Sequence, residues 1–359
     1  MKIVIFANSA SGLYKFRKEL LERLISLGHQ IFISLPKGDF INELQDLGCN
    51  FIETKISRHG TNPFTDFRLL KKYKSILKEL TPDIVFTYTI KPNIYGGIAC
   101  ASKNIPYIVN ITGLGIAIEN SGLLQKFVLF LYKYGLRKAK RVFFQNQENQ
   151  IFMINHNVVK DNYKLIPGSG VNLNNHCFEN YPIDDGMLRF LFIGRLMKDK
   201  GIEELFDCIE YIQKKYKNIE FDIIGGYDED KYQSRIVDLE NKGYLKYWGI
   251  QKDVHNFIKS HHVTVLPSYH EGMSNVLLES AACGRPVIAT DIPGCKEIFD
   301  DTISGISCMP RSVDSLINAV ERFIHLPYEQ KARMGIAGRK KVEKEFDRNI
   351  VVDSYIKEL

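Results

Sequence analysis

The sequence lacks the cysteine spacings that mark zinc and redox motifs, and it lacks any long apolar run. No two of its seven cysteines are spaced as CxxC; they are Cys49, Cys100, Cys177, Cys208, Cys283, Cys295 and Cys308. A membrane-spanning helix needs roughly 20 consecutive apolar residues. The most apolar stretch, Gly122 to Leu136, is interrupted by Gln125, Lys126 and Lys133. We therefore expect reduced thiols and no membrane-spanning segment.

The chain also lacks a leader pattern and a strong excess of charge. Met1 to Phe6 has the pattern of a buried strand, not of a charged segment followed by an apolar one, which predicts a cytoplasmic protein. The net charge of +6 is moderate, and no nucleic-acid-binding motif is present. Residues 1–172 nevertheless carry 23 basic and 12 acidic residues, against 25 and 30 in the remainder. This asymmetry indicates either an anionic partner of the first half or ordinary solvated lysines.

Apolar strands alternate with helices along the 359 residues. Residues 1–35 predict a strand, a glycine-containing loop, an amphipathic helix and a second strand. Strands that are almost wholly apolar are typical of a parallel sheet covered on both faces. The predicted fold is α/β, with two doubly wound, parallel-sheet, Rossmann-like domains facing a cleft. We predict one domain over 1–172, a polar linker over 173–187, a second domain over 188–340 and a final helix over 341–359.

The stretch HEGMSNVLLESAACGRP places Glu271 and Glu279 on either side of a predicted helix start. Ser274 or Asn275 suits the N-cap, and Gly272 allows the backbone to approach a ligand closely. The free N–H groups of a first helical turn favour a phosphate. On a continuous helix the two glutamates would be about 12 Å apart, more than the roughly 5–9.5 Å of paired glycosidase carboxylates. They would therefore contact different ends of one ligand, unless they are ordinary surface charges.

Two further clusters are open to more than one interpretation. In GRLMKDKG, Arg195 and Lys200 follow a strand and precede a helix, where fixed cations can neutralise a diphosphate or can simply be loop charges. The run Asp228-Glu229-Asp230 spells DxD, but its position favours an acidic helix start over a metal site. His261 and His262 lie beside a strand and favour packing or the surface over metal binding.

Together, GRLMKDKG and LPSYHEGMSNVLLESAACGRPVIATDIPG resemble the retaining nucleotide-sugar glycosyltransferases of family 4, which have the GT-B fold. The shared hallmark is two glutamates separated by seven residues, with a basic pair upstream. The resemblance covers essentially the whole chain. SRHGTNPF and NITGLG look most like the bacterial branch that builds lipid-linked glycans and capsules. Within it, the chain is similar to N-acetylgalactosaminyltransferases that extend an undecaprenyl-diphosphate-linked sugar.

The resemblance implies a role for each motif residue. Glu271 would hold donor-sugar hydroxyls, Glu279 would hold the ribose hydroxyls, and Arg195 and Lys200 would stabilise the leaving diphosphate. The other implied donor-binding residues are Gly12, Gly194, Gly249, Gln251, Gly272, Met273, Ser274 and Asn275. The acceptor side would include Ser11, Lys91 and Thr112. The first domain would bind the acceptor, the second the donor, and the terminal helix would cross back onto the first domain.

The resemblance also implies the substrates: a UDP-sugar, an N-acetylhexosamine donor by similarity, and a polyprenyl-diphosphate-linked acceptor. No metal or other cofactor is expected. Thr112 stands where relatives carry an acidic residue, so the sequence leaves the exact sugar and acceptor open. Two alternatives remain: a nucleotide-sugar 2-epimerase on the same architecture, and a non-catalytic sugar-nucleotide-binding assembly partner.

A membrane partner is also open. The segment around Leu123 to Ala139 combines apolar residues with a basic end. It predicts either a core helix or a contact with the anionic inner face of the cell membrane.

Overall fold

A computed structural model describes residues 1–57, 62–114 and 122–359. The motifs SRHGTNPF and NITGLG therefore lie partly outside the described residues. The chain divides into an N-terminal unit, Met1–Ser169 with Asn349–Leu359, and a C-terminal unit, Gly170–Arg348. Residues 173–187, which the sequence suggested as a linker, belong to the C-terminal unit.

In its described residues, the N-terminal unit forms a seven-stranded parallel sheet with helices on its faces. Its strands are β1 (Lys2–Phe6), β2 (Gln30–Leu35), β3 (Asn50–Glu53), β4 (Ile84–Tyr88), β5 (Tyr107–Ile111), β6 (Arg141–Phe144) and β7 (Tyr163–Leu165). The described helices are α1 (Ala10–Ser26), α2 (Ile41–Asp46), α3 (Pro63–Leu80), a π-helical turn (Pro92–Gly96), α4 (Gly97–Lys103), α5 (Leu123–Leu136) and α6 (Gln147–Asn155). The strand order is β3-β2-β1-β4-β5-β6-β7.

The first strand shows why these sequences form a doubly covered sheet. Successive side chains of a strand point to opposite faces. Ile3 and Ile5 pack in one apolar cluster and Val4 and Phe6 in another, and all four are fully buried. Both faces of β1 are therefore apolar from Ile3 to Phe6, as expected for a parallel sheet that is covered on both sides.

The C-terminal unit repeats the design with six parallel strands. They are β8 (Leu188–Ile193), β9 (Ile219–Ile224), β10 (Lys246–Tyr247), β11 (Val263–Leu266), β12 (Val287–Thr290) and β13 (Gly305–Cys308). Its helices are α7 (Ile202–Lys215), α8 (Gln233–Asn241), α9 (His255–Ser260), α10 (Asn275–Ala282), α11 (Val313–His325) and α12 (Tyr328–Glu345). The strand order is β10-β9-β8-β11-β12-β13. The predicted α/β class with two doubly wound parallel sheets is confirmed.

The chain end contains a break that the sequence did not predict. Instead of one helix over 341–359, α12 ends at Glu345 and α13 (Arg348–Ile356) begins after Phe346 and Asp347. The break arises because Val171 pairs with this segment: its N–H donates to the Phe346 carbonyl at 2.9 Å, and its own carbonyl accepts from the Arg348 N–H at 3.0 Å. These backbone bonds replace helical ones.

Helix α13 is anchored in the N-terminal unit by Tyr355, which is fully buried. Its ring lies 5.1 Å from that of Phe86 and 4.8 Å from that of Phe143. Its hydroxyl accepts a hydrogen bond from the Asn110 amide at 2.6 Å. The chain terminus is therefore part of the core of this unit.

His261 and His262 are packing residues, which agrees with the sequence interpretation. Both are buried. His262 Nδ1 accepts from the Arg189 backbone N–H at 3.1 Å, and burial lowers the pKa of His262 to about 4. The ring is therefore neutral at physiological pH.

We expect Tyr355→Ala to lower the free energy of unfolding of the N-terminal unit by about 3–5 kcal/mol, because it empties an aromatic site in the core. Tyr355→Phe keeps the ring and removes only the hydroxyl, which accepts from the Asn110 amide and also interacts with Tyr88 and Arg17, so its cost should be about 1–3 kcal/mol. Urea unfolding of both variants measures the difference. Equal, small losses would show that the terminus is not an anchoring element.

Candidate functional site

Both motif loops of the C-terminal unit leave neighbouring strands. Strands β8 and β11 pair side by side although three helices and two strands separate them in sequence, so the strand order reverses between them. Ligands of such sheets bind beyond the carboxyl ends of the strands at this switch point. The loop after β8 is Gly194–Gly201, and the loop after β11 contains Pro267 to Ser274.

The two loops meet through Lys200 and Glu271. The Lys200 ammonium donates to Glu271 Oε1 at 2.5 Å, and the Ser268 hydroxyl donates to the same oxygen at 2.9 Å. The two charged side chains are 20% and 12% exposed, respectively. An ion pair this shielded is far less screened by salt than an exposed one. The structure thus brings two of the predicted catalytic side chains into contact.

Two glycines allow close approaches here: Gly201 between the loops after β8 and β11, and Gly294 between the loop after β12 and the Glu271 loop. Gly201 has φ +66°, and a Cβ there would lie 2.0 Å from the Pro267 carbonyl oxygen. Gly294 has φ +81°, and a Cβ there would lie 2.7 Å from the Glu271 carbonyl oxygen. The carbonyl of Gly294 also accepts the Ser274 N–H at 2.8 Å. Any larger residue at either position would push the loops apart.

Helix α10 begins as the sequence predicted. Ser274 is its N-cap, with a side-chain oxygen that accepts from the Leu277 N–H at 3.4 Å. Asn275 is the first helical residue, and the preceding Met273 is buried. Glu271 and Gly272 lie in the loop before the helix, so the axial spacing of a continuous helix does not apply to the two glutamates.

Glu279 lies within α10 and has a neighbour that the sequence interpretation missed. Its carboxylate Oε1 is 3.9 Å from His176 Nε2, and both side chains are 17% exposed. His176 is about 100 residues away in sequence, in a polar segment with no recognisable motif. No local signal identified it.

Arg195 contacts the acidic segment that follows β9. Its guanidinium donates to Asp228 at 3.1 Å, and the two side chains are 61% and 41% exposed. Glu229 accepts from the Lys198 backbone N–H at 2.8 Å, and that bond is the largest cause that holds the pKa of Glu229 below its usual value. The segment therefore braces the basic loop, and the short 3₁₀ turn Asp230–Tyr232 follows it.

The candidate base-binding loop follows edge strand β10. Gly249 has φ +63°, and its carbonyl accepts from the Gly225 N–H at 2.9 Å. The Gln251 amide donates to the Trp248 carbonyl at 2.6 Å. Gly225 follows β9 and Gly194 follows β8, so both glycines, like Lys200, lie beyond the carboxyl ends of the strands.

In the N-terminal unit, the predicted residues follow three strands, two of which, β1 and β4, flank its own switch point. Ser11 and Gly12 lie in the first turn of α1, where the Gly12 N–H donates to the Ser9 hydroxyl at 3.2 Å. Lys91 follows β4 and pairs with the buried Asp66 at 2.7 Å. Thr112 follows β5. The Lys91 charge is thus already compensated within the unit.

Among the described residues, two groups of side chains offer metal-ligand atoms within 4.8 Å of one another. They are His176 with His255 and Cys283, and Cys177 with Glu179 and His255. Neither group includes a residue of the acidic run Asp228-Glu229-Asp230.

Two family models match the chain. The model for glycosyl transferases group 1 matches residues 176–341, and the model for glycosyl transferase 4-like proteins matches residues 2–146. The two matches fall on different structural units and describe the same enzyme class. The epimerase and the non-catalytic interpretations receive no support from either.

Characterised relatives extend this picture. The chain is 26% identical to the N,N'-diacetylbacillosaminyl-diphospho-undecaprenol alpha-1,3-N-acetylgalactosaminyltransferase of Campylobacter jejuni, over 99% of this chain and 98% of that protein. It is 28% identical to the UDP-Gal:alpha-D-GlcNAc-diphosphoundecaprenol alpha-1,3-galactosyltransferase of Escherichia coli, over 71% of this chain and 69% of that protein.

A solved structure shows the same fold. The Anabaena protein HepE in complex with UDP and glucose aligns over 100% of this chain and 98% of its own, with 17% identity and a TM-score of 0.79. This likeness shows the fold, GT-B. The two family matches, over residues 2–146 and 176–341, show that the chain is a glycosyltransferase of the group 1, 4-like type.

Proposed function

We propose that the chain transfers an N-acetylhexosamine from a UDP-sugar to a sugar on undecaprenyl diphosphate, with retention of configuration. The contact between Lys200 and Glu271 at the switch point of the C-terminal sheet carries this proposal, because it joins a cation and a hydroxyl-binding carboxylate where a ligand binds. The full-length likeness to the C. jejuni enzyme supports the donor and acceptor classes. Assembly of a bacterial surface polysaccharide or glycoprotein glycan is the corresponding role.

The donor would bind beyond the carboxyl ends of the strands of the C-terminal sheet. The free N–H groups at the start of α10 would hold the diphosphate, since helix N-termini favour anions. Glu279 would accept hydrogen bonds from the ribose hydroxyls, and the loop from Gly249 to Gln251 would contact the base. Glu271 would hold sugar hydroxyls through the oxygen that does not bind Lys200.

The reaction then requires charge stabilisation more than a protein nucleophile. The bond between the anomeric carbon and the diphosphate oxygen breaks, and the acceptor oxygen bonds to that carbon on the same face. The acceptor proton passes to the departing diphosphate oxygen. Lys200 would stabilise the negative charge that develops there, and its fixed position beside Glu271 means that little reorganisation is needed.

We further propose that transfer needs no metal. The acidic run that resembles a DxD motif is bound to the basic loop, with Asp228 on Arg195 and Glu229 on the Lys198 backbone. Those contacts give the carboxylates a structural role, and Arg195 and Lys200 would supply the charge that a metal would supply.

Helix α5 supports a peripheral contact with the inner face of the cell membrane. Its inner side buries Val128, Leu129, Tyr132, Gly135 and Leu136. Its outer side exposes Leu123, Leu124, Phe127, Phe130 and Tyr134. In the described residues, no helix is long and apolar enough to cross a bilayer. An exposed apolar stripe next to Lys133 and Arg137 matches an anionic lipid surface, where the acceptor resides.

A panel of nucleotide sugars, incubated with an undecaprenyl-diphosphate-linked sugar and EDTA, tests the function directly. We expect acceptor-dependent UDP release with a UDP-N-acetylhexosamine, and an anomeric NMR signal showing retention. Release from a different donor would correct the sugar alone. Inversion would contradict the mechanism, and a loss in EDTA that metal restores would contradict metal independence.

Lys200→Ala should lower kcat by about 10²–10³, the usual cost of removing one fixed group that stabilises transition-state charge. Lys198→Ala is the matched control, because it removes the same charge from an exposed position of the same loop and should leave kcat nearly unchanged. Thermal unfolding of both variants checks that Glu271 without its partner does not unfold the unit. Near-normal turnover of a folded Lys200→Ala variant would remove Lys200 from the mechanism.

Phe130→Asp should weaken binding to phosphatidylglycerol vesicles by roughly 10-fold or more, because burying a phenylalanine side chain contributes about 1.5–3 kcal/mol. Ile303→Asp is the matched control: Phe130 is 64% exposed and Ile303 61%, and Ile303 lies in the C-terminal unit. Vesicle sedimentation at low salt measures both. Equal binding of the two variants would rule out α5 as the contact.

A further inference from the structure

In the C-terminal unit, outside the proposed reaction site, a sulfur, an oxygen and a nitrogen atom that could bind a metal ion lie close together. Cys177 Sγ is 3.5 Å from Glu179 Oε1 and 3.9 Å from His255 Nε2, and these last two atoms are 3.0 Å apart. All three distances are therefore below 4 Å. The three atoms form one small triangle, built by two parts of the chain that are 76 residues apart.

The triangle has nearly the dimensions of a zinc coordination face. Zinc binds sulfur at about 2.3 Å and nitrogen or oxygen at about 2.0–2.2 Å, which separates tetrahedral ligand atoms by roughly 3.3–3.6 Å. Each observed distance lies within about 0.3 Å of that range. A thiolate, an imidazole nitrogen and a carboxylate oxygen are also the three ligand types that zinc uses in proteins.

The ligand atoms are held by outer partners. His255 Nδ1, the ring nitrogen away from the triangle, is 3.4 Å from Cys283 Sγ, which sets the ring orientation. Glu179 Oε2, the oxygen away from the triangle, pairs with Lys259 at 3.0 Å. The Arg285 guanidinium donates to the Glu179 backbone carbonyl at 3.1 Å. Such second contacts orient the ligands of established metal sites.

The group is also accessible. Cys177 is the exposed cysteine of the seven, and the other six are buried. The side chains of Glu179 and His255 are each 17% exposed. An ion can therefore reach the triangle from solvent, and a water molecule can take the fourth position.

We propose that Cys177, Glu179 and His255 bind a zinc ion, with water as the fourth ligand. The ion fastens the extended segment before β8 to the start of α9. The ligand His255 also contacts Cys283, the residue after the end of α10, so the zinc site is linked to the helix that carries Glu279. It lies outside the reacting atoms, so the site and the transferase activity are separate properties.

Cobalt and zinc titration of the chelator-stripped full chain tests this site. Co²⁺ replaces zinc in tetrahedral sites and gives a thiolate-to-cobalt charge-transfer band. We expect that band in the unmodified protein and its displacement by Zn²⁺. Cys177→Ser should abolish the band, and Glu179→Gln should lower zinc affinity by more than the roughly 10–100-fold that loss of an outer partner costs.

Two further variants make the assignment specific. Cys283→Ala removes only an outer partner and should lower zinc affinity by about 10–100-fold while the band persists. Glu220→Gln is the matched control, because Glu220 is also ion-paired but lies outside the group, and zinc affinity should not change. Thermal unfolding without metal verifies that each variant is folded.

Two results would overturn the proposal. If no thiolate band forms, the three side chains are only a hydrogen-bonded cluster. If the band survives Cys177→Ser and disappears in Cys283→Ala, the ion binds His176, His255 and Cys283 instead. Because the readout is metal binding, neither result depends on whether the proposed transfer reaction is correct.

Discussion

The parallel direction of the thirteen strands in the described residues is the constraint on which the rest of this protein depends. In a parallel sheet all carboxyl ends lie at one edge, so loops from distant parts of the sequence are collected there. In the C-terminal sheet the neighbours β8 and β11 bring together loops that are about 70 residues apart in sequence, including Lys200 and Glu271. The same constraint makes the strands almost entirely apolar, because helices cover both faces. Charged side chains are thereby left mainly to the loops and the outer faces of helices.

The contact between Lys200 and Glu271 shows how loops at the carboxyl ends of parallel strands form a binding site. Partly buried charges are stable only when their hydrogen-bonding capacity is met. Glu271 Oε1 meets this condition with two donors, Lys200 and Ser268. Ser268 is itself held, since its carbonyl accepts from the Thr290 hydroxyl at 2.5 Å. The ammonium therefore has a defined position before any ligand binds, which is the arrangement that electrostatic catalysis requires.

Helix α10 connects the two chemically distinct regions of the C-terminal unit. Its eight residues, Asn275–Ala282, span about 12 Å, with the N-cap Ser274 before them and Cys283 after them. One end offers backbone donors and the capping hydroxyl, and the other end meets the group around His255. Glu279 lies between them on the same helix. A short, buried helix thus holds both regions at a constant separation.

The sequence by itself determined the fold class, the alternation of strands and helices, a helix N-cap at Ser274 or Asn275 and the residue pairs that resemble family 4 enzymes. These properties follow from local signals: apolar periodicity, capping residues and motif spacing. It did not identify helix α3, although Asn62 and Pro63 at its start are such signals. The tertiary structure alone decided that Lys200 contacts Glu271, that Arg195 turns to Asp228, that His176 lies beside Glu279 and that Val171 interrupts the last helix. Each of these contacts joins residues far apart in the chain, and one sequence does not specify the order and register of strands that brings such residues together.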